Sequence, residues 1–341
     1  MTKTKTLIAV SGGLVAVGAA AAYVASDLEA FKPTIKRYAG PVLSLAEPAP
    51  KTASPSQLAA VEKLQIFPKD NPWNTPVDDL LKHPLSMLFI ESIGEDAKLH
   101  PDFGVSWRGK PIGIPFDVSG PEQKKVDVTF RYADESDPGP YPIPPDATIE
   151  GGPDGEGDRH VIVVDPLNRK LYELFRAFPQ PDGSWEAGSG AIFDLTRNDL
   201  RPKGWTSADA AGLPIFPGLV RYEEVKSGEI DHALRFTVKK TRKAYISPAV
   251  HYASRSTERT LPPMGLRVRL KADYDISGFP PQAQVILKAL KKYGMILADN
   301  GGNWFLSGSP DQRWDMDAVE SLKRIRGEDF EVVDTGPASD E

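Results

Sequence analysis

The chain has no cysteine in 341 residues. That excludes disulfides, a thiol nucleophile and zinc–thiolate sites. Histidine is scarce, with five in the whole sequence, so any imidazole chemistry rests on a handful of positions. Positive charge is also thin. Lys and Arg total 41 against 47 Asp and Glu, a formal charge of −6. The one dense basic stretch is Lys239-Lys240-Thr241-Arg242-Lys243, so nucleic acid is a poor partner. The P-loop, the dinucleotide-binding G-x-G-x-x-G after a strand and the G-x-S-x-G elbow are all missing.

Proline is abundant. Thirty-two residues are about 9%, against a usual 5% or so. So many breakers exclude a mostly helical fold and favour short strands joined by turns. The expectation is a mainly β fold, a β-sandwich or jelly-roll-like domain with a few peripheral helices near the C-terminus.

The N-terminus reads as an export signal. Lys3 and Lys5 precede the uncharged run 7–25, and Asp27 and Glu29 follow. This is the charge pattern of a secretory signal, with an uncleaved anchor as the rival because the run approaches bilayer length. Residues 1–26 are therefore assigned to a signal peptide or anchor, and 27–65 to a Pro/Ala-rich tether. Residues 66–334 form a single β-rich domain, and 335–341 an acidic, frayed tail. The expected location is periplasmic or secreted, with membrane contact only through an uncleaved N-terminal segment.

Period-two alternation marks a half-buried strand over 125–132, the nearly continuous apolar run 160–165 suits a strand covered on both faces, and another strand follows over 170–178. A hairpin is expected from 219–225 and 229–238, turning at Lys226-Ser227-Gly228. Another strand is expected over 264–274. Helices are expected over 56–64, over 281–293 with Gly294 as its stop, and over 317–326.

Five residues are candidates for catalysis. Glu173 shares a strand face with Leu171 and Phe175, where burial raises a carboxyl's pKa and suits it as a general acid. Glu150 precedes two glycines that allow close approach by a ligand. Asp158 and His160 sit at a strand entrance with Arg159 between them. His232 shares an apolar face with Leu234, Phe236 and Val238. Substrate-binding candidates are Arg235, on the opposite face of that strand, and Trp205 with Asp209 in the segment GWTSADAAGLP. Asp299 and Asn300 in ADNGGNW and His251 complete the set. Thr206 also reads as the cap of a one-turn helix with Asp209 three residues on. No cofactor is expected. Asp154, Glu156 and Asp158 alternate with glycine as calcium ligands do, but the spacing departs from the EF-hand and reads better as a solvated turn.

The segments SDPGPYPIP, GDRHVIVVD, WTSADAAGLPI, HALRFT and ALKKYG…ADNG resemble a group of exported bacterial proteins. The resemblance spans about residues 66–333 and implies export, without implying an activity, a fold or catalytic residues. Export, strand-borne carboxylates and aromatics near glycine turns together suggest an enzyme on extracellular or cell-envelope carbohydrate, hydrolysing glycans by carboxylate acid/base chemistry. Two rivals remain: a non-catalytic glycan-binding or envelope structural protein, and a metal-dependent hydrolase in which His160, His232 and His251 converge. The expected partner is in each case a polar ligand, glycan foremost.

Overall fold

The computed structural model describes residues 55–106 and 109–340. The signal or anchor segment 1–26 and the tether up to residue 54 lie outside the described residues. Among the described residues there are thirteen short strands. They are β1 (His100–Asp102), β2 (Asp117–Val118), β3 (Val128–Phe130), β4 (Val161–Asp165), β5 (Lys170–Phe175), β6 (Phe178–Pro179) and β7 (Trp185–Ala187). The later ones are β8 (Ser189–Asp194), β9 (Leu234–Val238), β10 (Arg267–Leu270), β11 (Met295–Asn300), β12 (Phe305–Ser307) and β13 (Phe330–Val332). The same described residues form five α-helices: α1 (Pro55–Glu62), α2 (Ser86–Ile93), α3 (Tyr222–Ser227), α4 (Pro281–Lys292) and α5 (Met316–Ser321). Strand exceeds helix, 22% against 17%, as the proline content implies.

The strands form three mixed sheets, ordered β1-β12-β9-β11-β10-β13, β2-β4-β5-β8 and β3-β7-β6. Each contains a parallel pair: β9 with β11, β2 with β4, and β3 with β7. The four-stranded sheet is covered on both faces, and its alternation divides two cores. Ile162, Val164 and Leu171 join the large core beneath the six-stranded sheet. Val161, Val163, Tyr172 and Leu174 join a smaller one with Tyr141 and Trp185 of the three-stranded side. Glu173 alternates with Tyr172 and Leu174, so it points to the large core, as the period-two reading requires.

Helix α4 confirms the expected stripe, burying Ala283, Ile286, Leu287 and Leu290. Gly294 follows at φ 64°. Four expectations need correction. The proposed hairpin around Lys226-Ser227-Gly228 is instead α3. Gly228 adopts φ 95°, and its N–H caps the carbonyls of Glu224 and Val225, a left-handed helix stop rather than a strand turn. Strand β9 therefore begins only at Leu234 and pairs with distant β11 and β12. The helix expected over 317–326 is shorter. Asp315 caps α5, and the chain tightens into a 3-10 turn at Leu322–Arg324 before Ile325 accepts the Leu99 N–H. Helices are also not confined to the C-terminal end. Helix α2, which the sequence reading missed, buries Phe89, Ile90 and Ile93. Finally, the tail is docked. Ser339 pairs with Tyr245 through both backbone bonds, and Arg242 meets Asp340 at 2.7 Å.

Among the described residues, no helix is long and apolar enough to cross a membrane.

Candidate active site: a carboxylate cluster around Arg235

Strand β9 is buried along its length. Leu234, Phe236 and Val238 enter the large core, which leaves Arg235 and Thr237 on the opposite face. A buried guanidinium needs acceptors for its donors, and a carboxylate is the strongest of these. Asp209 supplies one in bidentate fashion, Nε to Oδ2 at 2.7 Å and Nη2 to Oδ1 at 2.6 Å. Ser307 Oγ accepts the remaining Nη1 at 2.6 Å. Arg235 is 4% exposed and Asp209 not at all.

Asp299 reaches this pair through an irregularity in β11. Up to Leu297, which pairs with Phe236, the register is even; it then shifts so that Asp299 pairs with Thr237. Without that extra residue, Asp299 would keep to the core face of Leu297. The bulge turns it to the Arg235 face instead. Asp299 Oδ2 lies 3.8 Å from Arg235 Nη2, and its side chain is 13% exposed. Burial and then the Asp209 charge push Asp299 well above the usual carboxylate range, against the opposing pull of Arg235.

The loop carrying Asp209 is clamped from several sides. Ala211 N–H donates to Ala298 in the bulge at 2.9 Å, and Val250 N–H donates to Ala211 at 3.0 Å. Gly212 sits at φ +73°, where an added Cβ would fall 2.6 Å from Val250 and 2.7 Å from the Trp205 carbonyl; only glycine fits. The expected helical turn with Thr206 as cap does not form. Thr206 and Ser207 hydroxyls both donate to the Asp209 carbonyl, which frees the Asp209 side chain for Arg235.

His160 links this loop to Glu150. Its Nδ1 is 2.7 Å from Glu150 Oε2 and its Nε2 is 3.2 Å from the Ala208 carbonyl. Both neighbours only accept hydrogen bonds, so the ring satisfies both as an imidazolium. Burial pulls its pKa down, but the Glu150 charge and hydrogen bond, with Asp158 beyond, hold it up at about 9. The same contact acts on Glu150. Burial raises that carboxyl, yet the His160 charge and two hydrogen bonds bring it below the ordinary value. Glu150 keeps 25% of its side chain exposed.

Two more carboxylates lie in the field of this group. Asp158 feels His160, Glu150, Arg235 and Asp209, and burial raises its pKa. Asp102, missed in the sequence, pairs in register with Ser307 across the parallel β1–β12 ladder. That places it beside the hydroxyl that receives Arg235. Burial and then Glu150 lift Asp102 to about 6. Its sequence context, His100-Pro101-Asp102 on a three-residue strand, carried no periodic signal.

Of the sequence candidates, Glu150, Asp158, His160, Asp209, Arg235 and Asp299 thus gather. Glu173 stands directly behind them. It is fully buried and accepts the Ile215 N–H at 2.9 Å and the Phe216 N–H at 2.9 Å. Burial raises it to about 7 against those two hydrogen bonds. Its oxygens hold the 215–216 turn and meet no solvent. His251 supports the site from outside, with Nδ1 2.7 Å from the Ala210 carbonyl. Trp205 is half-buried under the Arg201 guanidinium, 5.6 Å from its ring centre. Asn300 ties the end of β9, donating to Val238 at 3.3 Å.

His232 belongs elsewhere. It lies 3.1 Å from Arg221 and 3.2 Å from Glu224. His160, His232 and His251 therefore keep separate partners and do not converge. Among the described residues, no group of three or more His, Asp or Glu is arranged to hold a metal ion. In the acidic glycine loop, Asp154 and Glu156 are exposed. The loop carbonyls of Pro153 and Gly155 each accept from the Arg159 guanidinium at 2.8 Å.

Comparison with family models, with curated proteins and with solved structures found no match to this chain.

Proposed function

We propose that the protein hydrolyses glycans by carboxylate acid/base chemistry, with Asp299 as general acid and Glu150 as general base. The observation that carries this reading is the opposite bias on two partly exposed carboxyls in one cluster. Burial and the Asp209 charge push the Asp299 carboxyl well above the usual carboxylate range. Glu150 is held ionised by His160. Both lie within the field of Arg235. A pair of carboxyl groups with pKa values driven apart is what glycosidic cleavage uses. Asp299 gives its proton to the leaving oxygen as the C–O bond breaks. Glu150 takes a proton from the water that attacks the sugar carbon. Asp158 and Asp102 add negative potential that favours the positive charge developing on the ring. Arg235, His160 and Glu173 hold the frame.

The packing of the four-stranded sheet against the six-stranded one supports a sandwich-like description of the fold. The charge pattern of residues 1–29 supports action outside the cytoplasm, on extracellular or envelope glycan.

The test is reducing-end release by purified protein from peptidoglycan and from soluble polysaccharides. Asp299→Asn keeps the size and hydrogen bonding of the acid but cannot donate the proton. It is expected to lower turnover by about a hundredfold or more with an unchanged far-ultraviolet spectrum. Turnover that survives Asp299→Asn overturns the assignment. Glycan binding without any release by the unaltered protein would put a non-catalytic binding protein in its place.

A further inference from the structure

A concave site lies around Phe116, whose ring packs on Phe216. It is a cleft of about 420 Å³ between α1 and the α3 region, at the lower end of the roughly 300–1,000 Å³ usual for small-molecule sites. Val61, Leu64, Ile66, Phe116, Tyr222 and Pro310 line it with apolar surface. Phe116 is fixed edge-on against Phe216 at 4.9 Å. Tyr222 is held edge-on by Trp314 at 5.2 Å and capped by Arg313 at 4.2 Å. Neither ring needs to move to meet a guest.

Two features of the lining define the guest. The first is charge. The cations lining the cleft are Arg221, Lys226 and Arg313. Each is already neutralised: Arg221 by Glu224, Lys226 by Glu223 at 3.2 Å, and Arg313 by Asp311 at 2.6 Å and by Glu223. No cation in the lining is left to recognise an anion. The second is an orphan. Ser309 lines the cleft, is 5% exposed, and its Oγ has no hydrogen-bond partner. Buried hydroxyls are normally satisfied, and serine χ1 has three staggered wells in which this one can sit.

We infer that this cleft binds a small, neutral, ring-bearing molecule through apolar contact with Tyr222, Phe116 and Leu64 and one hydrogen bond to Ser309. The site is separate from the carboxylate cluster and does not depend on the reaction assigned there.

The probe is 2-naphthol, a neutral fluorescent ring with one hydroxyl, titrated at pH 7 into the full chain. Saturable binding at one site is expected, with a rise in melting temperature. Ser309→Ala removes only an unpaired hydroxyl, so the fold should hold while affinity drops about tenfold. Tyr222→Ala is expected to weaken binding at least as much. Naphthalene-2-sulfonate, the same ring with an anion, is expected to bind at least tenfold more weakly than 2-naphthol. Absence of saturable 2-naphthol binding, equal affinity for the sulfonate, or affinity untouched by both substitutions would each overturn the proposal. Reducing-end release plays no part in this readout, so failure of one assignment leaves the other standing.

Discussion

Arg235 and Asp209 meet through two parallel hydrogen bonds of 2.7 and 2.6 Å at a point closed to solvent. Every other charged group of the candidate site is arranged around this pair. Asp299 lies 3.8 Å from Arg235, and Asp102 lies beside the serine that receives the third Arg235 donor.

The pair is expected to be fragile to single substitution. Arg235→Leu leaves Asp209 buried without a counter-charge and should cost about 3–5 kcal/mol. Adding Asp209→Asn removes that charge and should recover a good part of the loss. Urea unfolding of the two single variants and the double variant checks this; simple additivity would refute it.

Activity should show a wide plateau in pH. Glu150 is depressed, so the acidic limb should lie below the ordinary glutamate value. Burial and the Asp209 charge raise the Asp299 carboxyl, which places the basic limb on the alkaline side of the ordinary aspartate value. A kcat/KM profile that falls on both sides of pH 4 would contradict the assignment.

The Glu150–His160 contact makes stability depend on pH in a definite direction. The His160 pKa is raised from 6.5 to about 9. Its stabilising effect is therefore complete below pH 6.5 and is lost as pH rises through 9. The interaction is worth up to about 3 kcal/mol, counted once for both partners. Unfolding free energy should decline between pH 7.5 and 9.5, and Glu150→Gln should flatten that decline. An equal slope in both proteins would remove the imidazolium from the account.

Glu173 should behave as a structural group. Its pKa is raised from 4.5 to about 7, so the fold resists its ionisation and loses stability as pH rises between those values. Glu173→Gln keeps an oxygen for the Ile215 and Phe216 N–H groups and should abolish that loss without lowering turnover. Glu173→Leu orphans both donors and should cost about 2–4 kcal/mol. Turnover lost in the Gln variant, with stability intact, would return Glu173 to the list of reacting groups.

Local pattern determined a good deal of this molecule. Thirty-two prolines and period-two runs set a strand-rich fold, because each residue's preference acts within a few positions of itself. Alternation alone placed Glu173 with Leu171 and Arg235 opposite Phe236. The stripe at 281–293 announced α4, because its buried face lies within one helix. Pairing across the chain decided the rest. Lys226-Ser227-Gly228 suits a hairpin turn or a helix stop equally, and the strand partners 60 to 70 residues away chose the stop. Asp102 carried no periodic signal on its short strand. Asp299 would alternate into the core if β11 were regular. The register shift against β9 turns it towards Arg235, and no property of its neighbours in sequence encodes that shift. Whether a carboxylate becomes an acid, a base or a brace depends on burial and on the charges within a few ångströms, and only the folded chain brings those together.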